Sequence, residues 1–240
     1  MAVYVFSYSK SYTLFYMEFI SVKSMAMKFA KDWDRPERES IFGRIGGIIH
    51  TQPPLKERLS NSIYRIRVIE SKLEQLTNRM ETKNRELFER CTAATSEHDH
   101  ERATMYANEC AQVRKMTKTV LHSRLALEQV VLRLETVQEF GNLAVEMSPL
   151  ANVVHSLKGY LTGIMPEVSY ELGVIGDTLN GLVVEAGEAT GTSYDIEASS
   201  EEAHKILNDA GAVAEQRMKE TFPELPIPGV PSSEKQQVTR

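Results

Sequence analysis

The sequence predicts an all-α fold: a long antiparallel helical hairpin, then shorter hinged helices and a disordered Pro-rich tail. Three observations predict it. Two runs of roughly 40 residues lack Gly and Pro and repeat apolar residues at spacings of three and four, about five residues separate them, and every later apolar stretch is punctuated by Gly or Pro.

Residues 1–54 read as an N-terminal extension. The stretch from Met1 to Ser24 is aromatic-rich but broken by Lys10 and Glu18, so it makes a poor transmembrane span and a poor signal peptide. Met25 and Met27 follow at once, and an over-extended gene start is one reading of the first residues. After a charged stretch containing Pro36, the segment Ile41 to His50 turns apolar and glycine-laced before Pro53 and Pro54 stop it. Its residues Ile41, Phe42, Arg44, Ile45, Ile48 and Ile49 suit an element that orders at a lipid interface. A linker that tucks its isoleucines onto the helical body fits the same residues. No phosphate loop is present, because no Gly-Lys-Ser/Thr follows the glycines.

The first long run places Leu59, Ser62, Ile66, Ile69, Leu73, Leu76, Met80, Lys83 and Leu87 on a heptad seam. The second, from about His98 to Phe140, places Ala103, Tyr106, Cys110, Val113, Thr117, Val120, Leu127, Val131 and Leu134 on one side. Each helix would be about 60 Å long at 1.5 Å per residue, and the short connection around Thr95, Ser96 and Glu97 forces them antiparallel. Ile63, Leu121, Leu125 and Val130 lie off the seam and widen the apolar stripe beyond what one partner covers, so a later helix or a second subunit must pack there.

Beyond the hairpin (about 55–145) the chain reads as short helices over about 149–190. Pro149 fits the first turn of one, ending near Thr162, and Pro166 fits the start of another, ending near Glu188. Gly173, Gly176 and Gly181 weaken the second by up to about 1 kcal/mol each, so it can dock or detach. Residues 191–220 read as a linker and an acidic amphipathic helix capped by Ser199, Ser200, Glu201 and Glu202. Residues 221–240 are Pro-rich and then polar, hence extended.

Charge divides the chain. Residues 141–240 hold six Lys/Arg against fifteen Asp/Glu, while residues 1–140 hold twenty-two against eighteen, within a net charge of −5. An acidic rear can lie on a basic front, or the front can seek an anionic surface once released. The basic face of the first helix includes Arg58, Arg65, Arg67, Lys72 and Arg79. Interleaved Glu57, Glu70, Glu74, Glu81, Glu86 and Glu89 would repel a polyanion, so nucleic acid is disfavoured as a partner.

Other chemistry is set aside. The cluster Glu97-His98-Asp99-His100-Glu101 carries metal-ligand types, but its two His face apart on a helix and no second Glu-x-x-His spacing accompanies them. Cys91 and Cys110 sit about 10 Å apart in height on opposite arms, beyond the reach of a disulfide. No Gly-x-Ser-x-Gly, Walker or HExxH motif occurs, and a thin hairpin offers no cleft, so neither an enzyme nor a cofactor is expected.

The stretches Arg102 to Glu109, Val113 to Met116 and Leu134 to Gly141 resemble the second helix of the archaeal cell-division branch of the ESCRT-III family, and Ile164 to Val168 resembles the start of its fourth. The resemblance covers roughly residues 55–190 and makes that span the helical core. It implies a cytoplasmic protein, peripheral at the membrane or division site, that switches between a closed monomer and homo- or hetero-polymers with other ESCRT-III subunits on an anionic membrane. It also implies recycling by an AAA ATPase whose MIT domain grips the tail. Here Leu225, Pro226, Ile227, Pro228 and Val230 would form the grip, one residue off the usual spacing in its second half. The winged-helix module of some members has no room after the core, which implies recruitment by other subunits. The competing reading is a coiled-coil scaffold or nucleic-acid-associated helical protein.

Overall fold

The computed structural model describes residues 53–140, 144–190 and 196–225. They form five helices and, among the described residues, no strand: α1 (Leu55–Ser96), α2 (His100–Phe140), α3 (Ala144–Leu161), α4 (Pro166–Thr190) and α5 (Ile196–Thr221). The long helices α1 and α2 pack together as the predicted hairpin. Helices α3 and α4 form a second, shorter hairpin; α4 lies on α1, while α5 lies on both α2 and α3. The segment Ile41 to Ile49 and the residues Pro226 to Val230 lie outside the described residues.

The turn between α1 and α2 follows from its sequence. Asp99 donates its backbone N–H to Ala94 O (2.9 Å) and His98 donates to Thr95 O (3.2 Å), while His98 takes a φ of 60°. These two crossed bonds around a left-handed residue satisfy the last carbonyls of α1. The Asp99 carboxylate then accepts the Arg102 N–H (3.1 Å), so the same residue that ends the turn caps α2. His98 and Asp99 therefore serve the turn. His98→Gly is expected to stabilise the chain by about 1 kcal/mol, because glycine adopts the left-handed conformation without a Cβ clash. A lower midpoint in urea for that variant would show that the His98 side chain contributes more than its backbone costs.

The seam of α1 follows the prediction from Leu59 through Leu73 and again at Leu87, and departs from it in between. Thr77, Asn84, Leu87, Cys91 and Ala94 are buried, whereas Leu76 and Met80 are partly covered and Lys83 is exposed. Beyond Leu73 the buried positions step +4 to Thr77 and +7 to Asn84, then +3, +4 and +3 through Leu87, Cys91 and Ala94, so Thr77 and Asn84 take the places expected of Leu76 and Lys83. Asn84 fixes that register, because its side-chain oxygen accepts from Arg114 Nε (2.8 Å) and the Cys110 thiol (3.1 Å) of α2. Cys91 donates to Ala103 O (3.4 Å), so the two buried, free thiols contact levels of the hairpin seven residues apart. Burial raises both thiols above their ordinary pKa, which makes them poor nucleophiles.

The off-seam residues Ile63, Leu121, Leu125 and Val130 are buried in one core shared by all five helices, with Met147, Leu150, Leu157 and Leu161 of α3, Leu172, Ile175 and Leu179 of α4, and Ile206 and Leu207 of α5. The widened stripe is thus covered by later helices of the same chain. Two boundaries differ from expectation. Helix α3 begins at Ala144 and takes Pro149 in its second turn, giving up one helical bond, because the extra turn buries Met147. Helix α5 begins at Ile196, and Ser199 is no cap: its buried hydroxyl meets Ser148 Oγ (2.8 Å) and Asn152 Nδ2 (3.0 Å) of α3. Of the α4 glycines Gly176 also has a packing role, since a Cβ there would meet the His155 ring of α3 at 2.9 Å, whereas one on Gly181 would meet nothing within 4 Å.

Most buried hydroxyls bond within their own helix. Ser62 donates to Arg58 O (2.9 Å), Thr77 to Leu73 O (2.9 Å), Thr117 to Val113 O (2.8 Å) and Ser123 to Thr119 O (2.9 Å).

Candidate regulatory site: acidic helices on a basic hairpin

The opposite charges of the two halves meet in the fold. Along α1, Arg58 pairs with Glu185 of α4, and Arg65 (3.4 Å) and Lys72 (3.5 Å) share Glu171 of α4. Along α2, Lys118 pairs with Glu215 (3.3 Å) and Arg133 with Glu202 (2.6 Å), both on α5. Arg67 instead pairs within the hairpin, with Glu135, and Arg79 is exposed. Of the five basic-face residues named from the sequence, three therefore face the acidic helices.

Magnitudes decide what holds these helices down. Exposed ion pairs contribute about 0–1 kcal/mol each and weaken with salt. Beneath them, α4 buries Val168, Leu172, Ile175, Leu179, Leu182 and Val183, and α5 buries Ala203, Ile206, Leu207, Ala210 and Ala214. Each large aliphatic side chain buried is worth about 1.5–3 kcal/mol before ordering costs. Apolar packing supplies the adhesion, and the ion pairs set alignment and salt sensitivity.

One contact between these helices is independent of that charge pattern. His122 Nε2 of α2 lies 2.8 Å from Leu207 O of α5, and because a carbonyl can only accept, that nitrogen carries the proton. The His122 ring also lies 5.7 Å from the Tyr160 ring of α3, so one side chain of α2 meets two further helices. No sequence pattern singled out His122; its apolar flank of Leu121 and Leu125 gave a weak signal.

Titration of the site runs in two directions. Hydrogen bonds from Arg133 hold Glu202 below the ordinary carboxylate range, and Lys219 and Lys118 do the same for Glu215. Pairs with depressed carboxylates are present above that range and lost as pH falls through it. Glu70 of α1 behaves oppositely. Burial, and then the Glu128 carboxylate of α2, push it from 4.5 to about 6 against the opposing Arg67 and Arg124. A raised carboxyl favours the fold below about 4.5 and loses that contribution as pH rises through about 6. Glu70→Gln is therefore expected to stabilise the chain by about 1 kcal/mol at pH 8, discounted for its partial exposure, and by nothing at pH 4. Urea titrations at the two pH values check the sign; equal effects at both would mean that Glu70 is unstrained.

The first tail residues also touch the hairpin. Arg114 Nη1 donates to Pro223 O (2.7 Å), and the guanidinium carbon lies over the Phe222 ring (5.3 Å) and the Phe88 ring (6.0 Å). Leu225, the first residue of the predicted docking peptide, is half-buried. Among the described residues no group of His, Cys, Asp and Glu is arranged to hold a metal ion, and no helix is long and apolar enough to cross a membrane.

No family model matches the sequence, and no solved structure matches the chain. Among the proteins that do match are three of Sulfolobus acidocaldarius. Cell division protein B1 is 42% identical over 211 residues, spanning 88% of this chain and 95% of that protein. Cell division protein B is 30% identical over 192 residues (78% of this chain, 74% of that protein), and cell division protein B3 is 28% identical over 167 residues (70% and 96%). With 42% identity to B1 across nearly the whole of both proteins, the chain belongs to the family of the Sulfolobus cell division B proteins.

Proposed function

We propose that the chain acts in cell division as a non-enzymatic, ESCRT-III-type subunit, polymerising with copies of itself and related subunits on an anionic membrane at the division site. In this reading the arrangement described above is the closed form. Residues 55–190 are the polymerising core, the acidic helix α5 is a latch, residues 1–54 carry the membrane contact, and the tail from residue 221 is the grip for the MIT domain of a recycling AAA ATPase. The observation that carries the reading is the set of five hairpin-to-rear ion pairs laid over an apolar interface. Such a contact can exchange its carboxylates for lipid phosphates when the rear lifts, because both satisfy the same Arg and Lys groups.

The test is electron microscopy of the purified chain with anionic and with neutral liposomes, beside a duplex DNA shift assay. Filaments or tubules on the anionic liposomes alone support the proposal, whereas DNA binding without them would replace it with the nucleic-acid reading. Insertion of Ile41, Phe42, Ile45, Ile48 and Ile49, aided by Arg44, would supply several kcal/mol of membrane affinity before ordering costs. Exchanging Phe42 and Ile45 for Asp is thus expected to weaken liposome binding at least tenfold, since each 1.4 kcal/mol lost is a factor of ten. Undiminished binding would move the contact to the basic face of α1.

A further inference from the structure

Arg114 spends its side chain on an unusual combination of groups. Its Nε donates to Asn84 Oδ1 (2.8 Å), its Nη1 donates to Pro223 O (2.7 Å), and its flat face lies over Phe222 and Phe88. Asn84 is itself buried between the arms and held by Cys110. The guanidinium is therefore oriented from the hairpin side before the tail arrives. Glu81, Asn84, Arg85 and Phe88 of α1, with Thr221, Phe222 and Pro223, line a groove of about 230 Å³ at the same place. Nη2 of Arg114 is buried and has no hydrogen-bond partner among the described residues, which leaves a donor in reserve at the point where the chain runs on.

We infer that Asn84, Phe88 and Arg114 form a capture site for the dipeptide Phe222-Pro223, and that its occupation withholds the adjoining Leu225 to Val230 from a partner's peptide groove. The withholding rests on the docking role proposed for that segment; the capture site does not. Proline suits the ligand end, because a residue without an N–H presents its carbonyl from a stiff, extended backbone and loses little freedom when held. Phenylalanine suits the other end, because a guanidinium over an aromatic face gains both electrostatic attraction and stacking. Pro223, whose carbonyl is held by Arg114, lies two residues before the half-buried Leu225, so a groove that must surround Leu225 has to work beside a tethered backbone. When the dipeptide leaves, Arg114 keeps Asn84 and Phe88 and loses only tail contacts. The site can thus open without disturbing the hairpin.

The experiment uses the full chain. Arg114→Gln, which removes the cation–π contact and the charged hydrogen bond, is expected to raise the rate of Glu-C cleavage after Glu224 about tenfold, and Phe222→Ala, which removes the cation–π contact alone, about threefold. Arg114→Lys should recover part of the protection, because it keeps the charge and loses the planar fork. Phe222→Ala guards against misfolding, as it removes a tail residue outside the five helices. In parallel, the isolated MIT domain of a cell-division AAA ATPase is titrated with the full chain, with both variants and with a free peptide of residues 218–234. The wild-type chain should bind about tenfold more weakly than the peptide, and both variants should approach it, because affinity falls with the competent fraction. Unchanged cleavage in both variants would overturn the capture site. Faster cleavage with identical affinities for wild type and variants would overturn the withholding. A peptide that fails to bind at all refutes the docking reading, and the withholding with it, and is told apart because the cleavage rates still respond.

Discussion

A chain ending at residue 190 is expected to sediment as a polymer at low salt, where the full chain stays monomeric. The truncation removes α5 and with it Ile206, Leu207, Ala203, Ala210 and Ala214, which cover faces of α2 and α3. It also leaves Lys118 and Arg133 without Glu215 and Glu202, and His122 without Leu207 O. An apolar stripe rimmed by unpaired cations, on a chain that keeps the acidic α4, is complementary to a second copy of itself. The effect should be close to all or none: most of the truncated protein in the pellet, nearly none of the full chain, and loss of the pellet at high salt as the charged rim is screened. Negative-stain images separate ordered filaments from amorphous aggregate. Unchanged sedimentation at low salt would mean that α5 is no latch.

Leu157→Ala is expected to cost about 2–5 kcal/mol of stability, the range for emptying a fully packed leucine site. Leu157 is fully buried on α3, the one helix that touches α2, α4 and α5 together, so its neighbours cannot collapse into the gap without moving several elements. With a denaturant slope of about 2–3 kcal/mol per molar urea, the midpoint should fall by about 1 M or more. The control is Leu132→Ala on α2, where the side chain is 59% exposed and the expected change is within about 0.5 kcal/mol. Equal losses at the two sites would mean that α3 does not sit in the core.

The division between legible and hidden features follows from the range of the forces involved. The hairpin was legible because periodic burial writes itself into sequence at every third or fourth residue, and Ile63, Leu121, Leu125 and Val130 announced a third layer by exceeding what one partner covers. The burial of Thr77 and Asn84 in place of Leu76 and Lys83 was hidden, because the expected positions continue a regular heptad from Leu73 to Leu87. The choice between them is made by Asn84 meeting Arg114 and Cys110, thirty and twenty-six residues away. Ser199 read as a cap because nothing local reveals Ser148 and Asn152 opposite it. The opposite charges of the halves predicted that they could meet, but not which residues: Arg67 stays within the hairpin while Arg65 reaches α4. Phe222 and Pro223 passed as the start of a free tail, since the arginine that holds them lies more than a hundred residues earlier.

Ser62, Thr77, Thr117 and Ser123 each carry their acceptor one turn back on their own helix. A hydroxyl satisfied in this way makes no demand on whatever lies across the interface. When one neighbour is traded for another, or slides by a turn, none of these four groups is stranded in an apolar surrounding, and the toll of about 1–3 kcal/mol for an orphaned buried polar atom does not arise. At these four positions the buried face is thus polar in composition yet behaves toward partners as plain hydrocarbon, and the bonds that must break on a change of partner are confined to the ion pairs and to contacts such as His122 with Leu207 O. Such hydroxyls also loosen and bend the helix that hosts them, which favours curvature in rods of this length.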